Sequence, residues 1–164
     1  MNKTIAICPG SFDPITKGHL DIISRSAKMF DKVIVVVMSN VYKNGSTFTI
    51  EQRIDMIKKS VKNLKNVEVD YFDGLLADYA ASKNARVVIK GLRAMSDFEY
   101  EFQMALANKK LNPELETVFL TTSAENMYLS SSMVKQIASM GGDVSDFVPK
   151  AIYNYITEKL SDKN

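Results

Sequence analysis

His19 is the sole histidine of the chain, and it closes a stretch, residues 10–19, that reads Gly-Ser-Phe-Asp-Pro-Ile-Thr-Lys-Gly-His. The stretch follows directly on the apolar run Ile5–Cys8, breaks at Pro9-Gly10, and leads into a helical pattern. That order is a strand–loop–helix junction. Open α/β sheets bind ligands at such junctions, at the carboxyl ends of the strands. Free backbone N–H groups and the positive end of the helix dipole favour an anion there. An imidazole on the first helical turn can donate a hydrogen bond to a phosphate oxygen. A lone histidine is more often a satisfied surface or core residue, but the loop around this one reverses that expectation.

The other residues able to do chemistry fall at equivalent junctions. Ser11, Asp13, Thr16 and Lys17 accompany His19 after the first apolar run; Asn40 and Lys43 follow the second, and Asp73 the third. Lys90, Gly91 and Arg93 follow the fourth, and Ser123, Tyr128 and Ser130, Ser131 and Ser132 the fifth. Lys43 taken alone reads equally well as a solvated surface charge. Lys90 ends the buried run Arg86-Val-Val-Ile-Lys90, so it needs a partner. Cationic groups and Ser/Gly-rich helix starts on one sheet edge describe a site for a polyphosphate, with Arg93 and the triple serine expected on opposite sides of the phosphates. Gly91, lacking a side chain, is expected to let the backbone approach a nucleotide.

The elements that must position these residues alternate along the chain. Ile5–Cys8, Val33–Met38, Val67–Phe72, Ala85–Lys90 and Thr117–Thr121 read as short, fully buried strands of a parallel sheet. Between them, Leu20, Ile23, Ala27 and Phe30 form one apolar helix face, and Ile50, Ile54, Ile57, Val61 and Leu64 another. Thr49 with Gln52, and Ser96 with Glu99, have capping-box spacing. Val134 and Ile137 mark a helix after the serines, and Asp146 and Pro149 open a last one. With right-handed crossovers, this order gives an α/β fold: a doubly wound, Rossmann-like, parallel five-stranded sheet, read as a single domain over residues 1–164.

Composition narrows the function classes. A net charge of +2 gives no general attraction to nucleic acid, so none is expected as partner. One cysteine, Cys8, excludes an intrachain disulfide, and one Cys with one His cannot build a zinc site. No apolar stretch is long enough to span a membrane and no signal-peptide pattern is present, so a cytoplasmic location without membrane partner is expected. There is no Gly-x-x-x-x-Gly-Lys-Ser/Thr loop, no Gly-x-Gly-x-x-Gly after the first strand and no Gly-x-Ser-x-Gly elbow. Ser11 has no neighbouring activator and therefore reads as a binding residue.

Thr16-Lys-Gly-His19, preceded by Pro9-Gly-Ser-Phe-Asp-Pro14, resembles the T/H-x-G-H signature of the nucleotidyltransferase superfamily. Gly91-Leu-Arg-Ala94, Asp97-Phe-Glu-Tyr-Glu101 and Ser130-Ser-Ser-Met-Val-Lys135 narrow the resemblance to the bacterial phosphopantetheine adenylyltransferase family. It runs over nearly the whole chain, including Asn112-Pro-Glu-Leu-Glu116 and Asp146-Phe-Val-Pro149. The resemblance implies that ATP and 4′-phosphopantetheine react to dephospho-coenzyme A and pyrophosphate with Mg²⁺. It also implies a homohexamer, with coenzyme A as a candidate feedback ligand. Carried over by motif, the ATP contacts would be Ser11, Phe12, Thr16, Lys17, His19, Gly91, Leu92, Arg93, Glu101, Asn126, Met127, Tyr128, Leu129, Ser130, Ser131 and Ser132. The acceptor would meet Ser11, Lys43, Leu76 and Lys90, and the catalytic set would be His19, Lys43 and Arg93. Position 90 is Lys where the family commonly has Arg, which turns a bidentate clamp into a point charge. Residues 126–129, Asn-Met-Tyr-Leu, depart from the usual aromatic-Ser-aromatic-Ile.

The expected chemistry is direct in-line attack of a phosphate monoester on the α-phosphate, without a covalent enzyme intermediate. The attacking group is already anionic, so catalysis rests on positioning and fixed donors. Two other readings stand beside it: a related nucleotidyltransferase with another phosphate acceptor, and a non-catalytic ATP or coenzyme A sensor. Product analysis separates the first, and slow pyrophosphate release with tight ATP binding would mark the second.

Overall fold

The β-branched runs assemble as their length and composition lead one to expect. The computed structural model describes residues 3–38, 45–93 and 95–161. Strands β1 (Ile5–Gly10), β2 (Lys32–Met38), β3 (Val67–Phe72), β4 (Val87–Leu92) and β5 (Glu116–Thr121) form one all-parallel sheet in the order β3-β2-β1-β4-β5. Helices α1 (Lys17–Met29), α2 (Ile50–Val61), α3 (Leu76–Ser82) and α4 (Met95–Leu111) make the crossovers, and α5 (Ser131–Ser139) and α6 (Tyr153–Ser161) follow the last strand.

Side chains alternate across the sheet and divide the core in two. Ala6, Cys8, Val33, Val35, Val37 and Ile89 face α1, α2, α5 and α6. Ile7, Ile34, Val36 and Val88 face the other way, onto Tyr79 and Ala80 of α3. The expectation that all five strands are fully buried holds for β2 and fails for β3 and β5. Those two lie at the sheet edges, where one flank lacks a neighbouring strand, and they are mostly half-buried.

Two local expectations shift. β1 does not break at Pro9-Gly10 but runs through Gly10, paired with β2 to its end (Gly10↔Val37). β4 pairs with β1 only at Ala6 and Ile7, so the flank of β1 beyond them is open, where a residue without an amide hydrogen is tolerated. Thr49 and Gln52 form the expected reciprocal cap of α2. Ser96 is not at a cap position: it is the second residue of α4, which already includes Met95.

Candidate active site

Where β1 and β4 part beyond Ile7–Val88, the sheet opens into a cleft of about 320 Å³. This is the topological switch point, because the chain leaves β1 for β2 on one side and returns to β4 on the other. Its floor is apolar (Cys8, Ile22, Ile23, Ile89), and its walls carry Ser11, Thr16, His19, Lys90, Arg93 and the three serines 130–132. Burial pushes the Cys8 thiol up to about 11, so the one cysteine is an inert part of that floor at neutral pH.

His19 is fixed by the turn that starts its helix. Thr16 caps α1: its Oγ1 accepts from the His19 backbone N–H at 3.3 Å, and its own N–H donates to His19 Nδ1 at 3.0 Å. This is a capping box in which histidine replaces the usual Glu or Gln at the third helical position. Because a backbone N–H can only donate, Nδ1 is the acceptor and the neutral ring carries its proton on Nε2. Burial, followed by the charges of Arg93 and Lys90, lowers the imidazole from its ordinary 6.5 to about 4. At neutral pH the cleft therefore holds an uncharged N–H donor of fixed tautomer. The Phe12 ring meets His19 edge-on, 5.2 Å between centroids.

The two cations of the cleft are each held by a carboxylate of α4. Lys90 Nζ lies 3.3 Å from Glu101 Oε2, which supplies the partner that its place in a buried run demanded. Arg93 donates from Nε to Asp97 at 3.0 Å and from Nη1 to the Leu129 carbonyl at 2.8 Å. Asp97 and Glu101 are four residues apart on one helix, which puts both on the face turned to the cleft. Arg93 is thus tied to the residue before the triple serine, so the two stand on adjoining walls and not on opposite sides. The serine hydroxyls are also partly engaged. Ser130 Oγ accepts from Met133 N–H as the cap of α5, and Ser131 Oγ donates to the Pro14 carbonyl at 2.7 Å. Of the first turn of α5, the amides of Ser131 and Ser132, which have no partner within the helix, belong to residues that line the cleft.

Of the expected site residues, Ser11, Phe12, Thr16, His19, Lys90, Gly91, Arg93, Glu101, Leu129, Ser130, Ser131 and Ser132 are brought together around the cleft. Lys17 is not. Two residues from His19 on a helix, it points about 200° away, into a surface recess with Asp21, Lys59, Lys62 and Lys150. Leu92, Leu76, Asn126, Met127 and Tyr128 do not line the cleft; Met127 and Tyr128 are exposed, and Tyr128 packs edge-on against Phe147. Lys43 and Asn40 lie outside the described residues. The missing side chain of Gly91 serves packing: a Cβ there would stand 2.9 Å from Ile22 of α1, so it is the helix that comes close. Sequence reasoning missed Asp97 and Thr122 as cleft residues; the i, i+4 spacing of Asp97 to Arg93 and to Glu101 was a signal for the first.

Among the described residues, no group of three or more His, Cys, Asp or Glu side chains converges to hold a metal ion, and no helix is long and apolar enough to cross a membrane. The carboxylates of the cleft are paired with its cations.

The cytidylyltransferase-like family profile matches residues 7–137. A protein of Caldanaerobacter subterraneus named phosphopantetheine adenylyltransferase is 58% identical over 95% of this chain and 97% of its own length. One of the same name from Finegoldia magna is 54% identical over 99% and 100%. Among solved structures, a bifunctional NMN adenylyltransferase/ADP ribose pyrophosphatase of Francisella tularensis, complexed with AMP and a manganese ion, superposes with a TM-score of 0.71 at 18% identity. The match covers 96% of this chain and 49% of that one, so the chain spans about half the length of that neighbour, and the likeness is one of fold.

Proposed function

This chain belongs to the phosphopantetheine adenylyltransferases of the cytidylyltransferase-like superfamily, and from the geometry of its cleft we propose how it works. It transfers the adenylyl group of ATP to 4′-phosphopantetheine, giving dephospho-coenzyme A and pyrophosphate, a step of coenzyme A biosynthesis. A phosphate oxygen of the acceptor attacks the α-phosphorus of ATP in line. The bond to the β-phosphate oxygen breaks as the new one forms, and pyrophosphate leaves without a covalent enzyme intermediate.

The observation that carries this mechanism is His19: a neutral imidazole, its Nδ1 held by the Thr16 amide, with Nε2–H left for the cleft. Aimed at the α-phosphate, that donor strengthens as charge grows there and needs no proton transfer. Arg93 and the amides of α5 meet the outer phosphates, and Lys90 holds the attacking phosphate. Mg²⁺ would arrive on ATP as part of the substrate and would there neutralise phosphate charge beside Arg93 and Lys90. Coenzyme A carries the adenosine and pantetheine portions of the product, which supports it as a feedback ligand of the same cleft. Tyr100, Phe102, Met104, Leu106 and Leu111 of α4 are exposed apolar side chains and support burial in a homohexamer. A cytoplasmic location agrees with this chemistry.

Mass spectrometry after mixing the protein with MgATP and phosphopantetheine should detect dephospho-coenzyme A. Nicotinate mononucleotide offered as acceptor should give no product, and a reversal of that preference would replace the acceptor assigned here.

Lys90→Ala should raise the Michaelis constant for phosphopantetheine by about tenfold or more, since a charge-assisted contact contributes roughly 1.5–3 kcal/mol. The loss also frees Glu101 to repel the acceptor. Lys90→Arg should be tolerated. Unchanged acceptor kinetics for Lys90→Ala would remove Lys90 from the acceptor site.

Arg93→Ala should weaken ATP about tenfold and AMP much less, because AMP lacks the outer phosphates. Calorimetric titration of both nucleotides compares the two losses, and equal ones would place Arg93 at the adenosine end. Ser131→Ala is expected to act through the Pro14 anchor and to affect both nucleotides alike.

A further inference from the structure

The first loop of the cleft contains a backbone conformation that must be held in place. Phe12 has φ 46°, in the left-handed region that disfavours a bulky residue, yet its side chain is 3% exposed. Its ring fits over Gly10, where a Cβ would stand 3.0 Å from it, and meets His19 edge-on. Both neighbours of Phe12 are anchored from behind. Asp13 accepts from the amides of Thr47 and Phe48 and from Lys135. On the other side, Arg53 of α2 donates from Nη1 to the Ser11 carbonyl at 2.9 Å and from Nε to the Thr49 carbonyl at 3.4 Å.

Arg53 is an unusual choice for that place. It is 6% exposed, and among the described residues no carboxylate lies within ion-pair distance of it. Burying a guanidinium against carbonyls, with only a longer-range attraction from the Glu51 carboxylate, is expensive, and an apolar side chain of similar volume would stabilise the core of α2 at least as well. What such a side chain could not do is grip the Ser11 carbonyl from forty-two positions away. The grip acts on the residue before the left-handed Phe12, and through Phe12 on the ring of His19.

We propose that Arg53 is a positioning residue for the reaction: by holding the Ser11 carbonyl it keeps Phe12 in its left-handed conformation and sets the Phe12 ring against His19. The catalytic part of this statement rests on the function proposed above; the geometric part does not.

The single histidine gives a clean test. In the parent protein one set of imidazole resonances reports His19. Arg53→Met should fold, with a thermal midpoint close to the parent's, yet shift the His19 resonances by NMR. Its kcat should fall about 10–100-fold, as displacement of a reacting group by an ångström does, while the calorimetric Kd for ATP stays within about threefold. Arg53→Lys, which can reach one carbonyl but not both, should fall between parent and Arg53→Met in both readouts. Should Arg53→Met fail to fold, Arg53→Lys carries the test with the same two measurements. His19 resonances that superimpose on the parent's, or a kcat loss matched by loss of folded protein, would overturn the proposal. If the parent itself releases no pyrophosphate from MgATP and phosphopantetheine, the proposed function fails and the NMR shift alone decides the role of Arg53.

Discussion

Replacing His19 with alanine is expected to lower turnover by about 10²–10³-fold while leaving ATP affinity within severalfold, because one fixed donor aimed at developing charge contributes roughly 3–4 kcal/mol in the transition state. Three structural facts set that expectation. The Thr16 amide at 3.0 Å fixes the tautomer, so Nε2 donates. Burial and the nearby Arg93 and Lys90 charges hold the ring neutral, so its contact with ground-state ATP lacks the strength of an ion pair. The Phe12 ring restrains the plane of the imidazole. Loss of ATP binding with turnover retained would assign His19 to ground-state binding.

A pH dependence of stability follows from the same residue. With the folded value near 4 and the ordinary one 6.5, the unfolded chain binds a proton between those limits that the native chain does not. His19 therefore makes stability rise as pH increases from about 4 to 6.5, with no further contribution above. Urea unfolding across that window should show the slope in the parent and lose it in the His19→Ala protein. Turnover near neutral pH should not follow a histidine titration, since the ring is already neutral there.

What could be read in advance and what could not divide by sequence distance. The strands were legible because apolar β-branched runs have few alternatives, and the cleft was legible because every polar residue after a strand shares one sheet edge. Thr16 and His19 stand at capping-box spacing, so even the tautomer had a local signal, obscured because histidine occupies the place of glutamate. Lys17 stands next to the motif in sequence, yet as the first residue of α1 it is about 200° round the helix from His19, and its side chain lies in the surface recess with Asp21. Asp97 and Glu101 were visible as a spaced pair, yet nothing local says that their face meets Lys90 and Arg93. The departure at residues 126–129 proved to be a segment whose Met127 and Tyr128 turn to solvent, outside the cleft. Asp13 stood with the phosphate-site candidates, and the structure gives it another task. Its partners are 34, 35 and 122 positions away, beyond any periodicity argument.

Asp13 carries the largest stability effect we expect. Its carboxylate joins three segments: one oxygen accepts from the Thr47 amide and Lys135 Nζ, both at 3.0 Å, and the other from the Phe48 amide at 2.9 Å. All three partners are donors, so an amide side chain must turn its own N–H₂ toward at least one of them. Asp13→Asn should therefore destabilise the protein by about 3 kcal/mol or more, the range for breaking a buried, hydrogen-bonded ion pair. Lys135→Met leaves both backbone amides on the carboxylate and should cost about 1 kcal/mol. A double-mutant cycle read by urea unfolding separates the Lys135 contribution from that of the amides. Acid should produce the same loss without mutation. Burial opposes ionisation of Asp13, but the two amides and the Lys135 charge outweigh it and hold the carboxyl below its ordinary 3.8. The stabilisation is thus fully present above that value and disappears as pH falls through the lower folded one. The Asp13→Asn protein should lose less stability over that acid range than the parent. Equal unfolding midpoints for parent and Asp13→Asn at neutral pH would show that the first loop is held by Arg53 and packing alone, with the carboxylate only a bystander.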